Sequence, residues 1–308
     1  PRCAAGTPRR RRGTATRAGT LLVAACGRAP SAVPPERRAA WEAALVAERA
    51  AKDTEFKTSP TSPMAGVERT VVRAPASGWV QLADSGLRVV TAPVAGSPLA
   101  FAFTDAWQWS GTPDRAWRDG EDGALAPGPV PEGALFRVGR VTLATYLAGS
   151  GLVVIAFDPE RAEIRAFERL RYFPPDPRFV VAARREAVTP PESVTLATSR
   201  NLEKRYLRVA RLHFRLGGRD CVLGAFKASA DDAVLFVPFA DATSGKETYG
   251  SGRFLEIPEA PGDTIEVDFN RAFNPLCNYS PAYNCPLPPA ENRLDVAIEA
   301  GEKTYPHT

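Results

Sequence analysis

The stretch YLRVARLHFRLGGRDCVLGAF, residues 206–226, decides the fold. Leu212, Phe214 and Leu216 alternate with Arg211, His213 and Arg215, the two-residue period of a strand with one dry and one wet face. Gly217-Gly218-Arg219-Asp220 then reverses the chain, and Cys221–Phe226 returns as the second arm of a hairpin. Further on, VLFVPF at 234–239 is continuously apolar, as befits a strand covered on both faces.

The same pattern extends outward. Segments 69–74, 78–82, 86–92, 134–137, 139–146 and 151–157 are rich in Val, Leu and Thr between Gly and Pro, and read as strands. So do 178–185, 205–216, 219–228, 233–240, 264–270 and 293–298. Within the first group, 104–133 reads as a loop crowded with Pro, Gly and Asp. One helix stands out, from about Glu36 to Phe56. Pro34 and Pro35 introduce it, and Trp41, Leu45 and Phe56 form a stripe that should cover an edge or face of a sheet. The expected fold is mainly β: two packed β-sandwich or barrel-like units with one N-terminal accessory helix. The expected division is a leader (1–26), a linker, helix and turn-rich connector (27–66), an N-terminal β unit (67–160) and a C-terminal β domain (161–308).

The formal charge of +4 is concentrated at the start of the chain. Residues 1–25 hold six arginines and no acid; beyond them 33 basic residues face 35 acidic ones. A near-neutral body lacks the footprint of nucleic-acid binding, so no nucleic-acid partner is expected. PRRRRGTATR followed by the short apolar run AGTLLVAA has the order of an export signal. Val23-Ala24-Ala25-Cys26 resembles the bacterial lipoprotein processing box, which implies lipid attachment at Cys26 and a membrane-anchored, exported body. An ordinary secretory signal with an incidental cysteine is the alternative. Export places the other cysteines in an oxidising compartment. Cys277 and Cys285 bound a short Pro/Asn-rich loop and are expected to form a disulfide, while Cys221 reads as a buried thiol. With only His213 and His307 and no Cys-x-x-Cys, neither a metal site nor a cofactor is expected.

Three groups of residues offer chemistry. The first is DATSGKETYGSGR at 241–253, which follows the most buried strand and carries Asp241, Thr243, Ser244, Lys246, Glu247, Tyr249 and Arg253. Its Gly-Lys pair is no phosphate loop: Ala240 stands where a Gly belongs and Glu247 where a hydroxyl belongs. This stretch is a ligand loop or a structured turn in which Glu247 pairs Arg253. The second group is Asp268, Asn270, Asn274, Glu291 and Asn292, in a segment stiffened by prolines. Were Asp268 and Glu291 to meet, they could serve as a paired acid and base; otherwise the side chains brace an irregular loop. The third is Trp107, Trp109 and Trp117, which could stack on an envelope glycan if exposed or fill a core if not.

The blocks AFERLRYFPPDPRF, LFVPFADATSGKETYGSGRFLEI and DFNRAFNPLCNYSPAYNCPLPPAENRLDVAIEAGEK, with EFKTSPTSPMAG upstream, resemble domain-of-unknown-function family 1684. That resemblance implies a shared β-rich fold and a shared polar surface around 241–253 and 268–292, and brings no catalytic residue with it. The expected function is a lipid-anchored envelope protein acting as a binding or assembly module, its ligand an envelope glycan or a small molecule. A hydrolase using carboxylates is the alternative.

Overall fold

The computed structural model describes residues 33–83 and 86–305. The expected signal segment and Cys26 lie outside them. Ten strands come first: β1 (Gly66–Arg73), β2 (Gly78–Ala83), β3 (Gly86–Val90), β4 (Leu99–Phe103), β5 (Trp107–Gly111), β6 (Arg115–Arg118), β7 (Gly128–Pro129), β8 (Ala134–Val138), β9 (Val141–Ala148) and β10 (Gly151–Phe157). They form two five-stranded sheets, in the orders β1-β10-β9-β8-β6 and β3-β2-β4-β5-β7. Val72, Phe136, Leu143 and Leu152 of the first sheet share a core with Val80, Leu99, Phe101 and Trp109 of the second. Phe136 lies edge-on to Phe101 and Trp109, with centroids 5.5 and 5.0 Å away.

Much of the stretch expected to be a loop is therefore sheet. In Trp107-Gln108-Trp109 the two indoles are two residues apart, so both point inward, and both are buried. Trp117 is buried as well. None of the three offers an exposed face for stacking on a sugar.

A six-stranded sheet follows, built from β11 (Val180–Ala197), β12 (Glu203–Leu216), β13 (Arg219–Lys227), β14 (Val234–Phe239), β15 (Arg253–Pro258) and β16 (Thr264–Asp268), in the order β15-β14-β13-β12-β11-β16. The β12–β13 turn is Gly217-Gly218 alone, with φ of 59° and 81°. Two successive positive φ values match the twist of a tight hairpin and suit glycine. β11 runs well past its expected end at 185. Its register shifts between Ala187 and Glu192, where Pro190 and Pro191 cannot donate to a ladder.

The sheet curls into a nearly closed barrel. Two backbone hydrogen bonds between Phe254 and Phe273, 2.8 and 3.0 Å, join edge strand β15 to the segment that follows β16. The helix α1 (Arg38–Thr58) borders the remaining seam: Trp41 bonds Asp268 at the end of β16, and Trp41 and Ala44 line a cleft whose other wall is β15. Its stripe is anchored at both ends: Trp41 and Leu45 pack on Val180, and Phe56 on Phe167 and Tyr279.

The segment expected as a strand at 293–298 is an extended tail with little ladder of its own. Leu294, Val296, Ile298 and Ala300 alternate inward and fill the barrel core beside Phe239 and Leu255. The tail touches the end of β14 through Leu294 N–H to Ala240 O at 2.8 Å and Ala242 N–H to Val296 O at 3.0 Å.

Candidate functional site

A tail without a ladder leaves carbonyls to be satisfied inside the protein. One side chain from β15 does most of this work. The Arg253 guanidinium, fully buried, donates to Ile298 O at 2.9 Å, Glu302 O at 3.2 Å and Ala300 O. Carbonyls two residues apart face the same way in an extended chain, so one guanidinium fork takes the place of a neighbouring strand. Its charge is balanced by Asp241 Oδ2 at 2.8 Å, the only ion pair of Arg253 among the described residues. Burial lowers the Arg253 pKa, and Asp241 opposes the shift. Asp241 Oδ1 accepts from Thr243 N and Oγ1 and from Ile298 N. The partner expected for Arg253, Glu247, is instead exposed and takes part through its carbonyl, which accepts from Thr304 N. Ser244 Oγ accepts from Asp241 N, and exposed Lys246 donates to Ala242 O.

The asparagines of the closing segment act in the same way. Asn292 Oδ1 accepts from Gly224 N at 2.6 Å, and its Nδ2 donates to Gly224 O and Pro238 O. β13 and β14 share one paired position, and Pro238 lacks an N–H, so this amide supplies the cross-strand bonds that the backbone cannot. Asn270 bonds both backbone groups of Asp176. Asn274 Nδ2 donates to Lys303 O, and its N–H to Glu302 Oε2. Asp268 is held by Trp41 Nε1 at 2.8 Å, by Asn270 and by Arg271. Glu291 is bound to Arg208 on the outside. No contact joins Asp268 to Glu291, so the two carboxylates form no acid–base pair.

Sequence reasoning passed over Glu302. This buried carboxylate receives Lys52 Nζ at 2.5 Å, the Asn274 amide at 2.7 Å, Tyr279 Oη at 2.7 Å and Tyr172 Oη at 3.4 Å. Desolvation, then the Glu302 charge, push the Tyr279 phenol pKa well up.

With those polar groups committed to the frame, the open surface lies beside them. Tyr206 of β12 and Phe236 of β14 stack past the end of β13, with ring centroids 5.5 Å apart. Phe254 follows at 4.8 Å from Phe236, edge-on, and Phe273 at 6.0 Å from Phe254. This aromatic row floors a groove of about 630 Å³ walled by Pro275, Leu276, Tyr283, Asn284 and Cys285. The size suits a small ligand. Val234 and Leu276 on its walls are exposed. Buried Asn284 Oδ1 has no hydrogen-bond partner among the described residues. Lys204 has no carboxylate partner there either; desolvation lowers its pKa, and Arg69 adds to the effect. A larger cleft, about 1440 Å³, opens at the Gly217-Gly218 turn, but on its rim Arg178, Arg184 and Arg215 are already paired with Asp176, Glu186 and Asp220.

Cys285 lines one end of the groove, and Cys277 and Tyr249 lie directly behind it. Tyr249 Oη lies 3.8 Å from Cys277 Sγ, and the Cys277 amide donates to Cys285 Sγ at 3.3 Å. The disulfide expected here is not formed: Cys277 and Cys285 are free thiols in contact, as Cys221 is a free thiol in the barrel core. Closing the loop does not require the bond. Leu276–Asn278 forms a helical turn, and the Cys285 amide is held by Ser199 Oγ.

Fold and groove together define a mainly β protein with a barrel that exposes an aromatic-floored cleft. Residues 165–303, which hold the barrel and its tail, match the family described as "Protein of unknown function (DUF1684)", and the chain belongs to that family through this region. A solution NMR structure of an uncharacterized protein from Haloarcula marismortui is similar at 44% identity, over 48% of this chain and 83% of that one, with a TM-score of 0.41. A search of curated proteins gave no match.

Proposed function

We propose that the protein is a binding module whose ligand is a small aromatic molecule carrying an anionic group, held in the groove over Tyr206, Phe236, Phe254 and Phe273. The observation that carries this reading is the aromatic row, with Tyr206, Phe236 and Phe273 half-buried around buried Phe254, beside Lys204, which has Arg69 near it. Neither cation has a carboxylate partner among the described residues. Aromatic faces supply apolar area and stacking, and a partly desolvated ammonium gains from an incoming anion. The carboxylates a hydrolase needs are spoken for: Asp241 and Asp268 are buried in ion pairs, which favours binding over hydrolysis. The test is a titration with 1-anilinonaphthalene-8-sulfonate, an aromatic anion whose emission rises on burial. The reading expects saturable binding, weakened about tenfold by Phe236→Ala, a loss of about 1.4 kcal/mol, and weakened also by Lys204→Gln. Equal affinity in all three proteins, with their near-ultraviolet dichroism unchanged, would refute it.

The proposal extends to place. Export with a lipid at Cys26 is supported by the arginine-rich start, the short apolar run and Val23-Ala24-Ala25-Cys26. In cells, Cys26→Ser should move the protein from the membrane to the soluble fraction. An unchanged membrane fraction would remove the anchor from this account.

A further inference from the structure

Cys277 and Cys285 are more than neighbours. Cys277 Sγ is half-buried and approached by the Tyr249 hydroxyl; Cys285 is buried, lines the groove, and is fixed from behind by Ser199. The thiol of Cys285, then the hydroxyls of Ser199 and Tyr249, bring the Cys277 pKa down to about 6 against the opposing effect of burial. The Cys285 pKa is pushed up, chiefly by Cys277 and then by burial. Lys204 is the charged group that faces the pair from β12. Two free thiols in contact, one shifted down and the other up, have the arrangement of an attacking and a resolving cysteine. The third cysteine, Cys221, has no contact with either and a pKa raised by burial.

We propose that Cys277 is a nucleophilic thiol that exchanges with a small organic disulfide held in the aromatic groove, with Cys285 as its resolving partner. The proposal rests on the groove being the ligand site. The Cys277 thiolate attacks one sulfur of R–S–S–R, forming Cys277–S–S–R and expelling RS⁻. Cys285 then loses its proton to that thiolate or to water, attacks Cys277 Sγ, and expels the second RS⁻. The sum is two protein thiols and one disulfide giving a protein disulfide and two small thiols, so the substrate is the oxidant and the electrons balance.

The experiment uses the full chain and two reagents. 5,5′-Dithiobis(2-nitrobenzoate) is an aromatic, anionic disulfide that fits the proposed ligand class; bis(2-hydroxyethyl) disulfide is aliphatic and neutral. With the aromatic reagent, wild type should release both halves of the disulfide quickly and retain no adduct by mass. The rate should climb as pH rises through about 6 and then level off. Cys285→Ser should stop at the mixed disulfide, releasing one half and keeping the other. Cys277→Ser should slow the fast phase on the order of tenfold or more, while Cys221→Ser leaves it unchanged. Phe236→Ala should slow the aromatic reagent and not the aliphatic one. A rate midpoint near the ordinary thiol value of about 8.5, or complete release from Cys285→Ser, would overturn the proposal. Equal rates for the two reagents, unaltered by Phe236→Ala, would overturn exchange in the groove. The dye titration reports the groove reading separately, because it involves no thiol.

Discussion

The two sheets of β1–β10 and the barrel of β11–β16 solve the same problem with different materials. Among the described residues from 66 to 157, only Thr142 and Thr145 are buried polar side chains; from 198 to 302 there are thirteen. In the sandwich, ladders satisfy the backbone and apolar side chains fill the interior. In the barrel, a tail enters the core without a ladder, and Arg253, Asn292, Asn274 and Glu302 provide the bonds that strands would otherwise make. The difference teaches that a cluster of polar residues in this barrel belongs to its frame, and that the surface left for a ligand is aromatic.

The comparison can be broken at its strongest point first. Arg253→Met leaves the Asp241 charge buried and frees three carbonyls, and should cost about 3–5 kcal/mol in equilibrium unfolding. A loss under 1 kcal/mol would mean that the tail is held by packing alone. In the sandwich, Phe136→Ala should cost a similar ~3–5 kcal/mol, but through a cavity. Its signature is recovery by Phe136→Leu, whereas Arg253→Lys should recover little because a single ammonium cannot span the three carbonyls. Asn292→Ala should cost about 1–3 kcal/mol, the desolvation of Gly224 and Pro238 left without partners. Amide exchange at Gly224 should accelerate in that variant.

The smallest effect depends on pH. Tyr279 has a folded pKa above its unfolded value, so the stability it contributes is complete below about pH 10. It is lost as pH rises from there toward the folded pKa. Tyr279→Phe should therefore lower stability at neutral pH, where its bond to Glu302 is lost, and flatten the alkaline loss so that the two proteins converge as pH rises. A steeper alkaline loss in the variant would contradict the assignment.

What the sequence made legible was what depends on neighbours along the chain. The alternation of Leu212, Phe214 and Leu216, the Gly217-Gly218 turn and the stripe of Trp41, Leu45 and Phe56 are local patterns, and the structure keeps them. The run at 234–239 is a strand but not covered on both faces, because Val234 and Phe236 face the open groove while Leu235, Val237 and Phe239 fill the core. Trp107 and Trp109 alternate just as clearly, but the Pro, Gly and Asp around them masked two residues of pattern. The polar frame could not be read because each of its bonds joins distant positions. Glu247 was the partner expected for Arg253, and only the path of the tail puts Asp241 there instead. Glu302 sat in a stretch with no period to mark it as buried. The groove was hidden for a related reason: Tyr206, Phe236, Phe254 and Phe273 come from four segments, and their alignment is set by sheet register. A hint was present in Phe236 and Phe254, large aromatic residues at positions whose strand neighbours already supplied the inward face.

The most direct test of the central claim is a chemical-shift map of the isotope-labelled protein titrated with 1-anilinonaphthalene-8-sulfonate. The account predicts shifts concentrated at Lys204, Tyr206, Phe236, Phe254, Phe273 and the 275–286 wall, with Asp241, Thr243 and Asn292 unmoved. Shifts centred on 241–253 and 292, with the aromatic row silent, would contradict it and return the polar loop to the role of binding site.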